Sequence, residues 1–265
     1  MSMHDMNPIL LTFIISMAIQ AFFFLFAASF KTDKVTDLSY GLTFIFIANY
    51  WLFRGADTAG LYEIALSAMV TIWGLRIAGY LLFRILKTGT DSRFDDKRND
   101  LVKFGKFWLL QGIAVWVIMI PVVYILTRAE TTSMPLVAVV GAGIWLTGLV
   151  IETLADAQLY KFRFVKKKED KKTAWIDEGL WHYSRHPNYF GEMLVWWGLF
   201  VYGIGVYEGL GWLAIVGPLF ITLLLRYGSG IPILEKANDK RWGGKKEYQE
   251  YKKSTNLVII GPKSQ

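Results

Sequence analysis

Long apolar stretches separated by short polar segments set the plan of this chain. Apolar runs fall at residues 8–29, 39–53, 61–83, 107–127, 135–156, 189–207 and 210–228. All but the short second run approach the length needed to cross a hydrocarbon core of roughly 30 Å as a helix. The pattern predicts an all-α, polytopic membrane protein with seven transmembrane helices. With no internal repeat and no low-complexity linker, residues 1–265 read as a single seven-helix domain. Cytoplasmic loops are expected at about 84–106 and 157–188, with a cytoplasmic tail at 229–265.

Composition agrees. Hydrophobic residues make up 54% of the chain, aromatic residues 16%, and mean hydropathy is +0.34, too apolar for an ordinary soluble domain. Residues 1–7 carry Asp5 and no Lys or Arg, so the first run lacks the positive flank of a cleavable signal and is expected to remain as a span. There is no Cys, which excludes disulfide and thiol chemistry; electron transfer would need a bound cofactor.

Charge gives the orientation. With the N-terminus outside and the C-terminus inside, the outer loops hold only Arg54 and Arg128 and the third span holds Arg76. All the other Lys and Arg of the chain's 29 lie on the inner side, as the positive-inside rule requires. The net charge of +7 is thus cytoplasmic, and lysines such as Lys166, Lys167, Lys168, Lys171 and Lys172 suit anionic lipid headgroups. The lipid bilayer is the expected partner. Basic residues divided among short loops do not read as a nucleic-acid surface, and no obligate protein partner is evident.

Ionisable groups at membrane depth are costly and usually line a cavity. Glu152, Asp156, Leu159 and Arg163 follow spacings of four, three and four, which places them on one helix face. Asn188, Glu192 and Trp196 do the same on the sixth span, and Trp73, Arg76, Tyr80 and Arg84 on the third; the seventh ends in Arg226. These stripes either converge on an inward-opening polar pocket or pair as interhelical glue. The loop at 89–98 offers Arg93 and Arg98 beside Arg84: they either hold phosphates in two-pronged fashion or pair with the loop's own carboxylates.

The segment Ser184-Arg185-His186-Pro187-Asn188-Tyr189-Phe190-Gly191-Glu192 reads as a helix start at a membrane surface. Pro187 suits the first helical position, and the unpaired N–H groups there, with Arg185, favour an anion. His186 either caps this helix or touches that ligand. His182 and His186 lie four apart, but Pro187 interrupts any helix that would align them and the one other His is the terminal His4, so no metal site is expected.

Taken together, Trp73-Gly74-Leu75-Arg76, the 89–98 loop, Gln111-Gly112, Glu152 to Asp156, Gly179-Leu180-Trp181, Ser184 to Glu192 and Glu247-Tyr248-Gln249-Glu250-Tyr251 resemble the bacterial relatives of the steroid 5α-reductases. The resemblance runs from about Asp37 to Pro262. It implies a membrane reductase, in a bacterial inner membrane, that binds NADPH in a cytoplasm-facing pocket and reduces a carbon–carbon double bond conjugated to a ketone in a steroid-like or other lipophilic substrate. By similarity, cofactor contacts fall on Asp156, Arg163, Tyr183, Asn188, Glu192 and Arg226, with Arg76 a further contact. Arg185 and His186 join them on the helix-start argument alone. In the steroid enzymes a Glu near the start of the second span and a Tyr on the third serve the carbonyl, while hydride passes from the nicotinamide to the β-carbon. The counterparts by position here are Asp37 and Trp73, and Tyr40 or Tyr80 would supply the missing hydroxyl. Asp37 also reads as the N-cap of the second helix, and Trp73 would narrow the space for a bulky sterol. The Gly228-Ser229-Gly230-Ile231-Pro232 stretch predicts a bend or a close approach to a ligand, with Glu235 and Lys236 on the surface beyond it.

A second resemblance competes. Isoprenylcysteine and phospholipid methyltransferases that use S-adenosylmethionine share an Arg-His-Pro-x-Tyr helix start and a Tyr-x-x-Tyr tail. Their Glu-Glu pair is reduced here to Leu234-Glu235-Lys236.

Overall fold

The computed structural model describes residues 6–91, 94–128, 134–167, 169 and 171–263. Among the described residues the secondary structure is helical, with nine α-helices: α1 (Pro8–Ser29), α2 (Thr36–Arg54), α3 (Leu61–Thr88), α4 (Leu101–Arg128), α5 (Leu136–Tyr160), α6 (Pro187–Tyr202), α7 (Val216–Tyr227), α8 (Ile231–Trp242) and α9 (Lys246–Ser254). Six segments are long and apolar enough to cross a membrane, and they mark an integral membrane protein: α1, α3, α4, α5 with the turn that follows it, α6 with its short extension, and the stretch Gly209–Trp242. Helix α2 is not among the six. Asp37 and Arg54 occupy its first and last turns, and Ser39, Thr43 and Asn49 lower its hydropathy.

The chain forms two compact units, the first from Met1–Val139 with Tyr202–Gly217 and the second from Val140–Val201 with Pro218–Gln265. In the first, α1 packs on α4 and α2, and α2 packs on α3. Glycine sets the α2–α3 distance: a Cβ on Gly41 would lie 2.9 Å from the carbonyl oxygen of Gly74. Where α1, α2 and α4 meet, polar side chains satisfy one another. The Gln111 amide donates to Gln20 Oε1 (2.8 Å), Ser39 Oγ (3.0 Å) and the Thr36 carbonyl (3.1 Å), and Gln20 Nε2 donates to Thr43 Oγ1 (2.8 Å). Gln20, Ser39 and Thr43 are buried. A second polar lock joins Tyr62 and Tyr202, whose stacked rings each donate a hydroxyl to the other's carbonyl oxygen at 2.8 Å.

In the second unit α5 and α6 meet backbone to backbone. A Cβ on Gly148 would fall 2.6 Å from the Gly191 carbonyl oxygen, and one on Gly191 would fall 2.6 Å from the Glu152 nitrogen. Small residues at such positions let membrane helices pack closely without a net hydrophobic gain. Helix α5 then widens into a single π-helical turn, Lys161–Val165. The bend expected at 228–230 separates α7 from α8, which has Pro232 in its first turn.

Gly191→Ala should lower thermal stability in detergent by about 1–3 kcal/mol, the usual effect of overpacking. Gly143→Ala, where an added Cβ meets nothing within 4 Å, should leave the midpoint unchanged or raise it slightly.

Candidate functional site

The close approach of α5 and α6 brings four of the candidate polar residues onto facing helices of the second unit. Glu152, Asp156 and Glu192 are 3%, 6% and 7% exposed, and the Asn188 amide donates to Asp156 Oδ1 at 3.2 Å. The expected single face does not continue to Arg163. The π-helical turn intervenes, and a turn with more residues than an α-helix shifts the phase of whatever follows; Arg163 is exposed. Tyr183 is also open, at 46% exposure. Arg226 is half-buried over the ring of Tyr227.

The start of α6 is held by the tail. The Arg185 N–H donates to the Asn256 carbonyl (2.9 Å), Ser184 Oγ donates to the Val258 carbonyl (2.6 Å), and the Tyr251 hydroxyl donates to the Trp181 carbonyl (2.8 Å). His186 precedes the first helical residue, and its carbonyl accepts from the Phe190 N–H, which makes it the cap residue by position. Its ring does not face outward.

Glu235, expected at the surface, is instead the hub of this region. Its carboxylate accepts from Arg185 Nη1 (2.7 Å) and bonds His186 Nε2 (2.9 Å), with Lys252 Nζ at 3.6 Å; its side chain is 15% exposed. Lys252 also bridges to Asp239. Glu235 is hard to single out by sequence because it lies one turn into a helix otherwise rich in solvated charge. The one signal is the Leu234-Glu235-Lys236 remnant. Arg185 and His186 are thereby engaged within the protein. Burial pulls the His186 pKa below its ordinary 6.5, outweighing the opposing pull of Glu235, while Arg185 and Arg226 add to the lowering.

In the first unit the carbonyl-side candidates gather on α2 and α3. Tyr40 lies 6.4 Å from Trp73, ring to ring, and Phe44 packs edge-on against the same indole at 5.2 Å; Trp73 is fully buried. The Arg76 guanidinium covers the Tyr80 ring at 5.7 Å. Asp37 sits at 3.4 Å from Arg84. It is not the N-cap: α2 begins after Val35, and Asp37 belongs to the first turn, where a carboxylate complements the helix dipole.

The 89–98 loop follows the self-paired alternative wherever it is described. Buried Asp33 accepts the Asp91 N–H (2.7 Å) and faces Arg98 Nε (3.4 Å), while Arg98 Nη2 bonds Asp95 (2.6 Å). Arg93 lies outside the described residues, as does Lys168. His182 bonds Asp177, and among the described residues no group of three or more His, Asp or Glu is placed to hold a metal ion.

Residues 23–255 match the family described as "Protein of unknown function (DUF1295)". The chain belongs to this family. The family is related to steroid 5α-reductase-like proteins, and its match takes in both the α2–α3 group and the α5–α6 group. Comparison with curated proteins and with solved structures gave no match.

Two outcomes follow for the Glu235 hub. Glu235→Ala leaves Arg185 and His186 buried without their carboxylate and should cost about 3 kcal/mol of stability, read as a drop in the thermal midpoint. As pH falls below 6.5, the unfolded chain takes up a proton at residue 186 before the folded chain does, so folding weakens with acidity. The midpoint should therefore fall between pH of about 7.5 and 5.5, and His186→Gln should remove that part of the slope.

Proposed function

We propose that the chain is an integral membrane reductase that binds NADPH in its second unit and reduces a carbon–carbon double bond conjugated to a ketone in a lipophilic substrate. The observation that carries this reading is the pair of buried Asp156 and half-buried Asn188, with buried Glu152 and Glu192 on the same two helices. Carboxylates and an amide at membrane depth suit ribose hydroxyls and a carboxamide, which are neutral groups rich in donors. Half-buried Arg226 and exposed Arg163, with Tyr183 open beside the α6 start, are the groups suited to phosphates. Arg185 and His186 do not fit direct contact, because Glu235 holds both; their role is to fix the first turn of α6 and so the position of Asn188.

When bound, NADPH would supply the hydride. By the resemblance alone, the groups that serve the carbonyl belong to α2 and α3, where Tyr40 and Tyr80 carry phenols able to donate to a carbonyl oxygen and stabilise charge developing there. Asp37, ion-paired with Arg84, would order the start of α2 around Tyr40, and Trp73 would limit the bulk that fits beside them. Arg76, stacked on Tyr80, would add positive charge.

In this reading α2 is a seventh span, at about 28 Å for its length, the N-terminus is outside and the C-terminal tail lies in the cytoplasm, consistent with the distribution of Lys and Arg. The membrane is assigned to a bacterial cell.

One observation favours a second reading, a membrane methyltransferase using S-adenosylmethionine. Glu235, where that class carries its acidic pair, is bonded to the Arg-His of the shared helix start. The two readings separate by thermal stability of the purified protein in detergent, since a ligand that binds only the folded state stabilises it by about 2.7 kcal/mol at a hundred times its Kd. NADPH is expected to raise the midpoint and S-adenosylmethionine to leave it unchanged; a shift with S-adenosylmethionine alone would replace the first reading by the second. Asn188→Ala should weaken NADPH binding about five- to ten-fold with little change in the midpoint of the ligand-free protein. Asp37→Asn should lower turnover more than it lowers cofactor affinity.

A further inference from the structure

The first unit carries a cavity whose lining includes none of the residues assigned to the nucleotide or the carbonyl. It is a groove of about 1190 Å³ between α1 and α2, above the usual span of roughly 300–1,000 Å³ for small-molecule pockets. Phe22, Leu42, Phe46 and Phe53 line it and are exposed. Any acyl chain would wet such a wall, so the apolar lining alone specifies nothing. Two polar atoms change that.

Asn49 lines the same groove. Its amide nitrogen donates to the Ile45 carbonyl (2.8 Å) and to Thr71 Oγ1 (2.9 Å). A carbonyl can only accept, so this pair of bonds fixes which end of the amide is nitrogen. Among the described residues the amide oxygen accepts no hydrogen bond, and it is not one of the buried atoms left without a partner, so it is not enclosed by protein. An acceptor left without a donor inside a bilayer is unfavourable, because no water is present to serve it. Beside it, the Tyr50 hydroxyl accepts from Arg54 Nη1 (2.9 Å), which leaves its own O–H to donate. The groove therefore presents one acceptor and one donor, adjacent in sequence, about five residues or ~7.5 Å of helix below the Arg54 end of α2.

We infer that this groove is a binding site for a neutral lipid alcohol, whose hydrocarbon lies along Phe22, Leu42, Phe46 and Phe53 and whose hydroxyl donates to Asn49 Oδ1. A hydroxyl both donates and accepts, matching Asn49 and Tyr50 together. An ester or ketone lacks the proton that Asn49 needs. A phosphate would suit Arg54 but would leave the Asn49 oxygen unmet. The inference rests on the placing of α2 as a seventh span but not on the reductase activity, since it uses none of the residues assigned to the nucleotide or the carbonyl.

The test is photolabelling of the full chain in detergent with hexadecanol carrying a mid-chain diazirine, in parallel with its methyl ether, which keeps the chain and loses the donor. Labelling by the alcohol is expected in the α1 and α2 peptides, and about three- to ten-fold weaker labelling by the ether, as for the loss of one neutral hydrogen bond. Asn49→Leu should reduce alcohol labelling to the level of the ether. Ala18→Trp, which fills the groove from an exposed position and leaves Asn49 and Thr71 untouched, should abolish labelling by both and keeps the test valid if Asn49→Leu misfolds. Equal labelling by alcohol and ether, displacement by phosphatidylglycerol but not by unlabelled hexadecanol, or labelling unchanged by Ala18→Trp would each overturn the inference.

Discussion

The second unit depends on one constraint, the backbone-to-backbone approach of α5 and α6 at Gly148, Gly191 and Gly198. Each of these glycines faces main-chain atoms of the partner helix at a distance that no Cβ tolerates. In a membrane, where apolar side chains gain nothing by leaving lipid, such approach is one of the few sources of helix affinity. It has a chemical consequence. Two helices this close cannot interpose large side chains, so the polar groups one turn beyond the glycines are pressed toward one another. Asn188 reaches Asp156 for this reason, and Glu152 and Glu192 become buried although neither is apolar.

Much of this was legible in the sequence, and the failures have definite causes. The apolar runs located α1 and α3 to α7 well because a span needs length and hydropathy, both additive along the chain. Helix α2 formed where expected, but its polar residues make contacts with α1, α3 and α4 that hydropathy does not register. The Glu152–Asp156 spacing read correctly as a shared face, whereas Arg163 did not follow, because a π-helical turn has no compositional signature in Lys161–Val165. The Ser184-to-Glu192 stretch was recognised as a helix start. By sequence its cation suits an outward ligand and its imidazole either a cap or that ligand, whereas in the structure a carboxylate some fifty positions later binds both. Long-range ion pairs of that kind leave no periodic trace.

Gln20 and Gln111 illustrate the same limit in the first unit. Ser39, Thr43 and Gln20 lie within apolar runs, and they close a hydrogen-bonded network in which donors and acceptors are matched across three helices. A polar residue at membrane depth thus has two destinations. Some are consumed in joining helices, as these are, and their role ends there. Others keep hydrogen-bonding capacity turned toward a cavity, as Asn49 does.

The tail shows how the two destinations are coupled around α6. Residues 251–258 bond to Trp181, Ser184 and Arg185, and α8 sends Glu235 to Arg185 and His186. These contacts neutralise the charge of the helix start from outside the span and leave Asn188 and Glu192, one and two turns inward, facing α5. The Asn188–Asp156 bond thus begins one turn inward of a helix start whose own cation is met elsewhere, by a carboxylate from a polar helix far along the chain. A charged helix start and a polar pair deeper in the same helix are compatible because each has its own partner.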